Sequence, residues 1–428
     1  MRTAHVPDRD PIGWCALLAT AFWGLMLIRL TTPSSFYFDE VHYLAAAREY
    51  WALGDFVNRE HPLLGKELIG LGIAIFGDNA LGWRLLPSLF GALAMFAAMR
   101  ALWFASVSRF ATIAYGILLA TGFYLFVNSR IAMLDIFMVS FASVAFWQFA
   151  AAVREPEHGR RSFAIGGIAL GLSMACKWNV VPLAVLPGLA FLTARAMAGR
   201  RRLLMSRRGA PVPGMTLLEA ALWLGVVPLA VYALTYIPAW FFAEHAVGSA
   251  TGSSDLIALH RDALTLQESV VKSHPYQSNW PQWVLNTRSI WYLYEVADGA
   301  QRGILLIGNP LTMLLGIPAL LCAASEGLKR RNNAALSAVL IYAVTLGFWI
   351  VADKPVQFLY HYFLPSMALL AALALALDAL WRSGRKSLAV APLVLSCGLF
   401  AYFYPIMSAA PLSGKNAFTT WMWLNSWR

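Results

Sequence analysis

Runs of about 20 predominantly apolar residues recur along the whole chain, near 12–30, 80–105, 110–128, 131–153, 162–176, 178–197, 214–241, 301–325, 335–352, 356–380 and 388–406. A helix needs a run of that length to cross the hydrocarbon core of a bilayer. No water reaches a backbone amide or carbonyl there, so each run must close its own hydrogen bonds as helix. The expectation is an all-α polytopic membrane protein of about eleven transmembrane helices, with residues 1–428 forming one transmembrane unit. A water-soluble globule is excluded, because with 59% hydrophobic and 13% charged residues no single core could hide the apolar surface. The tract 162–197 is interrupted by Lys177, Trp178 and Asn179 and then by Pro182 and Pro187. Those interruptions predict a break in place of one over-long helix. The start, MRTAHVPDRDPIGWCALLATAFWGLMLIRL, lacks a small-residue cleavage site and reads as an uncleaved first span. Cys15, Cys176, Cys322 and Cys397 all fall within or at the edge of apolar runs, where they pack as small hydrophobes and imply neither disulfides nor a metal site.

The basic residues set an orientation. Arg2 and Arg9, Arg109, Arg154 with Arg160 and Arg161, the run from Arg195 through Arg200, Arg201, Arg202, Arg207 and Arg208, Lys329 with Arg330 and Arg331, and Arg382 with Arg385 and Lys386 share one alternate set of connections. Such residues collect in cytoplasmic loops, so the amino terminus is expected in the cytoplasm. The loops 31–79 and 242–300 and the aromatic tail 407–428 then lie on the far side. The net charge of +11 reflects this bias and attraction to anionic lipid. It does not indicate nucleic-acid binding, which calls for a clustered basic face on a soluble motif.

The first far-side loop contains FYFDEVHYLAAAREYWALGDFVNREHPLLGKELIGLG, with Asp39, Glu40, His42, Glu60, His61 and Lys66. Adjacent carboxylates entering a short amphipathic helix, followed by His and Lys, can supply a general base and an anion cradle at headgroup depth. Asp39 and Glu40 can equally serve the positive end of a helix dipole, and His42, one turn after Asp39, can orient it or make a plain surface contact. Arg130 with Asp135, in NSRIAMLDIF, and Lys177 beside Trp178 sit at far-side helix ends, where interface anchoring and function are both open. The second loop mixes His274, Arg288 and other polar residues with Trp280, Trp283, Trp291, Tyr292 and Tyr294, as suits a wall at headgroup depth.

In order along most of the chain, these stretches resemble the protein O-mannosyltransferase family, whose members have the C-fold (GT-C) glycosyltransferase architecture with amphipathic far-side loop helices. FDEVHY resembles the family's acidic motif after the first span, and EHPLLGKELIGLG its HPPLGK signature. GWRLLPSLFG, SRIAMLDIF, GLSMACKWN, HPYQSNW, GNP, FLYHYFLP and the Trp-rich end WMWLNSWR are similar to further family segments. The resemblance implies inverting transfer of mannose from a polyprenyl-phosphate carrier to Ser or Thr hydroxyls of exported proteins. On it, Asp39 is the base that takes the acceptor proton, and Glu40 seats the acceptor or orients the base. Inversion needs one carboxylate on the acceptor side and a stabilised phosphate opposite. The candidates for that phosphate and its sugar are His61, Lys66, Arg84, Arg130 and Arg288, with His42, Asp135, Lys177 and His274 in support; Arg130 matches a family arginine beside the active site. No metal ligand set and no cofactor is expected, and dependence on a divalent metal stays open. Expected partners are the polyprenyl-phosphate sugar, an exported protein acceptor and the bilayer, with the export machinery as a further candidate and no nucleic acid. The expected location is the bacterial cytoplasmic membrane, with the site on its outer face. Leu63 stands where the signature has a second Pro, and Glu60 where an Asp commonly precedes the His, which leaves sugar and acceptor open. A related lipid-carrier enzyme acting on a glycolipid or cell-wall glycan is the alternative. A transporter would need related halves with interrupted helices, and no internal repeat is visible.

Overall fold

The computed structural model describes residues 8–198, 203–207, 209–269, 271–352 and 354–428. Arg2, Arg200, Arg201, Arg202 and Arg208, which enter the orientation argument, lie outside the described residues.

The apolar runs fold as helices. The first half holds α1 (Ile12–Leu27), α2 (Glu40–Trp51), α3 (Leu64–Phe76), α4 (Ala80–Ser106), α5 (Arg109–Thr121), α6 (Tyr124–Asn128), α7 (Leu134–Arg154), α8 (Gly159–Cys176) and α9 (Val181–Met197). The second half holds α10 (Leu217–Ala221), α11 (Val227–Leu234), α12 (Leu256–Glu268), α13 (Trp280–Val284), the strands β1 (Ile290–Ala297) and β2 (Ala300–Leu306), then α14 (Pro310–Arg330), α15 (Asn333–Val351), α16 (Phe363–Arg382) and α17 (Lys386–Met407). Eight of the described helical segments are long and apolar enough to cross a membrane: Ala80–Ser106, Leu134–Arg154, Trp178–Met197, Leu217–Leu234, Pro310–Arg330, Asn333–Val351, Leu359–Arg382 and Lys386–Met407. The chain is therefore a multi-pass membrane protein. Three of the eleven expected tracts fall outside that set: α1 and α5 have 16 and 13 residues, and α8 is diluted by glycine, serine and two arginines. The predicted break is present, with Lys177 extended (φ −161°, ψ 137°) between α8 and the turn that leads into α9.

The tract expected to become helical from residue 301 begins instead as a strand, and its helix starts at Pro310. The reason is local. Asp298 and Gly299 both take positive φ, 46° and 74°, the conformation of a tight hairpin turn that Asp-Gly favours. Aromatic and β-branched residues precede them in β1, and β1 and β2 pair antiparallel from Ala297↔Ala300 to Ile290↔Leu306, with a bulge near Trp291. Asn309 then caps α14 by accepting from Leu311 N at 3.1 Å, and its amide donates to the Thr121 carbonyl at 2.8 Å, tying the end of α5 to the start of α14.

In the helical core α7 packs between α4 and α8, and α16 packs against α14, α15 and α5. The helices of the first loop, α2 and α3, lie on one another, and α3 lies on the start of α4. Glycine permits that crossing, since a β-carbon on Gly72 would stand 2.3 Å from the Gly82 carbonyl oxygen. The close approach sets Arg84, one residue beyond Trp83 on α4, beneath the acidic start of α2.

Candidate active site

Asp39 occupies the N-cap position of α2, yet its side chain makes no capping hydrogen bond. The residue before it, Phe38, is held at φ 53°, a left-handed conformation that a bulky side chain adopts only when its surroundings impose it. The surroundings are visible: the Phe38 ring stacks on Tyr292 of β1 with centroids 4.3 Å apart, and Tyr292 donates to the Asn128 side chain at 2.9 Å. The hairpin from the second loop thus holds the turn that presents Asp39.

Asp39 faces a polar cavity of ≈ 160 Å³, lined also by His42, Tyr43, Asn58, Glu60, His61, Lys177, Lys354, Tyr360 and His361. The first loop supplies the acids and two imidazoles. The cations arrive from two other places. Lys177 projects from the break after α8, pairs with Asp135 at 2.7 Å and lies over the Tyr360 ring at 5.0 Å. Lys354 sits on the connection between α15 and α16, which the HPYQSNW segment fastens: Gln277 donates to the Pro355 carbonyl and Ser278 N to the Gln357 carbonyl, both at 2.9 Å. His361 is fixed by stacking on Trp349, centroids 3.8 Å apart, and by accepting from Phe358 N at 3.0 Å. Asp135 lines a small adjoining cavity that shares Tyr360 and His361 with the first.

Of the residues singled out in the sequence, Asp39, His42, Glu60, His61 and Lys177 come together here. Asp135 stands beside them through its pair with Lys177, and the others hold backbone. Glu40 is fully buried and accepts four hydrogen bonds, from Arg84 Nε and Nη2 at 2.8 Å each, Tyr37 N at 3.1 Å and Ala132 N at 3.0 Å. Arg84 spends its remaining donors on the Pro33, Ser35 and Leu30 carbonyls. Arg130 caps the end of α1 through the carbonyls of Met26, Ile28 and Arg29. Lys66, also fully buried, donates to the Asn58 and His61 carbonyls at 2.6 and 2.9 Å and so shapes the turn that carries Glu60 and His61. Arg288 donates to the Pro275 carbonyl, and His274 is exposed, with its Nδ1 accepting from Tyr276 N. Sequence reasoning did not assign Lys354, Tyr43, Asn58, Tyr360 or His361 to the site. The usable signal for Lys354 was a charged residue stranded in a short connection between two apolar runs.

Enclosure tunes the cavity. Burial, joined by the nearby Asp135 carboxylate, outweighs the attraction of Lys177 and pushes the Asp39 carboxyl up to about 6. Burial pushes Lys354 down to about 8, with Lys177 acting in the same direction. Burial and then the neighbouring lysines hold His61 well below the usual imidazole range, so it is neutral at pH 7. A neutral imidazole can orient a hydroxyl but adds no charge to an anion site. The arrangement therefore offers a carboxylate that is ionised at neutral pH yet retains proton affinity, opposite two ammonium groups. General-base catalysis with a stabilised anionic leaving group can use that pairing. A set that could hold a metal ion, Asp55, Glu244 and His245, brings ligand atoms within 4.8 Å of one another where the two loops meet, outside the cavity. There Asp55 already pairs with His245 Nδ1 at 2.7 Å.

Residues 16–83 and 74–241 match the family model of dolichyl-phosphate-mannose-protein mannosyltransferases, and residues 253–427 match that of the C-terminal four-TMM region of protein-O-mannosyltransferase. A polyprenol-phosphate-mannose–protein mannosyltransferase of Mycobacterium tuberculosis (strain ATCC 25618 / H37Rv) is 29% identical, covering 97% of this chain and 91% of its own. One from Corynebacterium glutamicum is 27% identical, covering 96% and 91%. Among solved structures, the S. cerevisiae protein O-mannosyltransferase Pmt1-Pmt2 complex bound to the sugar donor superposes with a TM-score of 0.83 at 14% identity, over 99% of this chain and 93% of that one. ArnT from Cupriavidus metallidurans bound to undecaprenyl phosphate gives 0.55 at 18% identity, over 92% and 66%. The fold is that of the GT-C glycosyltransferases.

Proposed function

The chain belongs to the dolichyl-phosphate-mannose-protein mannosyltransferase family, and from that premise we propose that it transfers mannose from a polyprenyl-phosphate carrier to Ser or Thr hydroxyls of exported proteins. The observation that carries this reading is the single cavity in which Asp39 faces Lys177 and Lys354. In the reaction Asp39 accepts the hydroxyl proton as the acceptor oxygen bonds to the anomeric carbon. The bond from that carbon to the phosphate oxygen breaks on the opposite face, inverting the centre. Its electron pair leaves on polyprenyl phosphate, whose charge the two lysines stabilise. His42, Glu60 and neutral His61 orient the acceptor side, and no covalent sugar–enzyme intermediate is required. The basic connections support a cytoplasmic amino terminus, with the cavity and carboxyl-terminal tail facing outward from a bacterial cytoplasmic membrane.

The test is direct. Purified protein supplied with polyprenyl-phosphate mannose should mannosylate a Ser/Thr-rich peptide; product on a glycolipid alone would overturn the acceptor, and no product on either would overturn the reading. In the same assay Lys354→Ala should lower kcat/KM by about 10²–10³, the loss typical of one charge-stabilising group in an enclosed site. Arg130→Ala should act on folded yield instead, because its guanidinium serves three helix-end carbonyls. A Lys354→Ala enzyme as active as the wild type would return the phosphate to the arginines.

A further inference from the structure

Both walls of the cavity are fastened to one helix that does not line it, α12. Its apolar side enters a small core separate from the main one, where Leu259 joins Ala46 and Tyr50 of α2, Phe56 of the first loop and Tyr236 beyond α11. Near its start, the His260 ring stacks on Trp178 with centroids 5.6 Å apart and planes at 21°. His260 Nδ1 is 2.6 Å from the Leu256 carbonyl, and its Nε2 is 2.5 Å from the Tyr232 hydroxyl. A carbonyl only accepts, so Nδ1 carries a proton, and in the neutral ring Nε2 then accepts from Tyr232. That leaves the Tyr232 oxygen to accept from Trp178 Nε1, 2.9 Å away. Trp178 directly follows Lys177, the residue that carries one cation into the cavity.

At its other end Gln267 donates to the Glu60 carbonyl at 2.7 Å. Glu60 lies in the Asn58–His61 turn, whose two end carbonyls Lys66 holds. Seven residues of helix between His260 and Gln267 amount to roughly 10 Å of rise, a rigid spacer from the lysine wall to the acid wall.

We propose that α12 sets the spacing between donor and acceptor walls, with His260 positioning Lys177 through Trp178 and Gln267 positioning the Glu60–His61 turn. Neither residue touches the reacting atoms. This rests on the donor reading given above. Displacement of a group by about 1 Å can cost up to about 10²-fold in rate, so loosening one anchor should be visible.

The probe is undecaprenyl phosphate alone, in equilibrium binding to the full chain, paired with donor KM and kcat. His260→Ala should bind it about tenfold more weakly and raise donor KM to match, with kcat at saturating donor falling less. His260→Gln, which keeps an acceptor for Tyr232, should recover part of both. Wild-type binding that is undiminished in His260→Ala overturns the positioning role alone. A loss that tracks a fall in melting temperature and is not recovered by His260→Gln overturns it as well. A wild-type chain that does not bind the probe overturns the donor reading, and the positioning role with it.

Discussion

Asp39→Asn should fold, insert and bind the polyprenyl carrier while mannose transfer per folded molecule falls by about 10²–10⁴, the usual contribution of a positioned general base. The substitution keeps shape and removes proton affinity. Asp39 makes no capping hydrogen bond, so the competing view, in which it only favours the helix dipole, predicts a stability change of at most ~1 kcal/mol and undiminished turnover. The stability signs also differ. Because the folded carboxyl is pushed up to about 6 from 3.8, its ionised form is disfavoured in the fold, and that penalty is present at pH 7 and relieved as pH falls through 6. Asp39→Asn should therefore melt no lower than the wild type at pH 7. The same shift predicts that wild-type kcat/KM falls on the acid side with an apparent pKa near 6, as the base takes up its proton. Residual transfer in Asp39→Asn should lack that acid limb. Wild-type turnover in the variant, measured against folded and lipid-bound protein, would remove Asp39 from the chemistry.

The bundle was legible because lipid allows few alternatives: a long apolar run has to become helix, and α4, α7 and α15–α17 lie close to where hydropathy puts them. Even the break at Lys177 was announced by polar residues and prolines. The hairpin was not, although Asp298-Gly299 is a strong turn signal. The tract from 301, with Gln301 and Arg302 ahead of an apolar run, also read as the start of a membrane helix, and only the pairing of 300–306 with β1 distinguishes the two. The carboxylate side of the candidate cavity was legible, because Asp39, His42 and His61 share one loop. Its cationic side was obscured because a motif arginine looks the same in sequence whether it meets a phosphate or a row of carbonyls. Arg84 and Arg130 meet carbonyls, those of Pro33 and Ser35 and of Ile28 and Arg29 among them. Buried backbone oxygens without partners are costly, so a chain that bends sharply between α1 and α2 needs such donors. The lysines that face the cavity come from distant connections, Lys177 and Lys354, which only the packing of α8 and of α15 with α16 brings together.

That division of labour gives Glu40 a different expected phenotype from its neighbour. Arg84→Ala should destabilise the fold by about 3–5 kcal/mol, the usual result of stripping one partner from a buried ion pair. Both side chains are fully enclosed and meet through two parallel bonds of 2.8 Å. The loss would strand the Glu40 carboxylate and free the carbonyls of Pro33 and Ser35 at once. Arg84→Lys should recover little, since an ammonium cannot reproduce the planar fork. Glu40→Gln should also destabilise, because an amide group cannot accept at both ends from Arg84 and from the Tyr37 and Ala132 amides. The pair links the turn before α2 to α4 and to the segment entering α7, so its loss should appear as lower folded yield and melting temperature. Turnover of the surviving folded molecules should change far less than in Asp39→Asn. A double-mutant cycle with Glu40→Gln and Arg84→Met should show the double variant less damaged than the sum of the singles, because each single leaves the other's polar group unpaired. An unchanged melting temperature with transfer abolished in Glu40→Gln would instead put Glu40 at the acceptor, the role that the family resemblance implies.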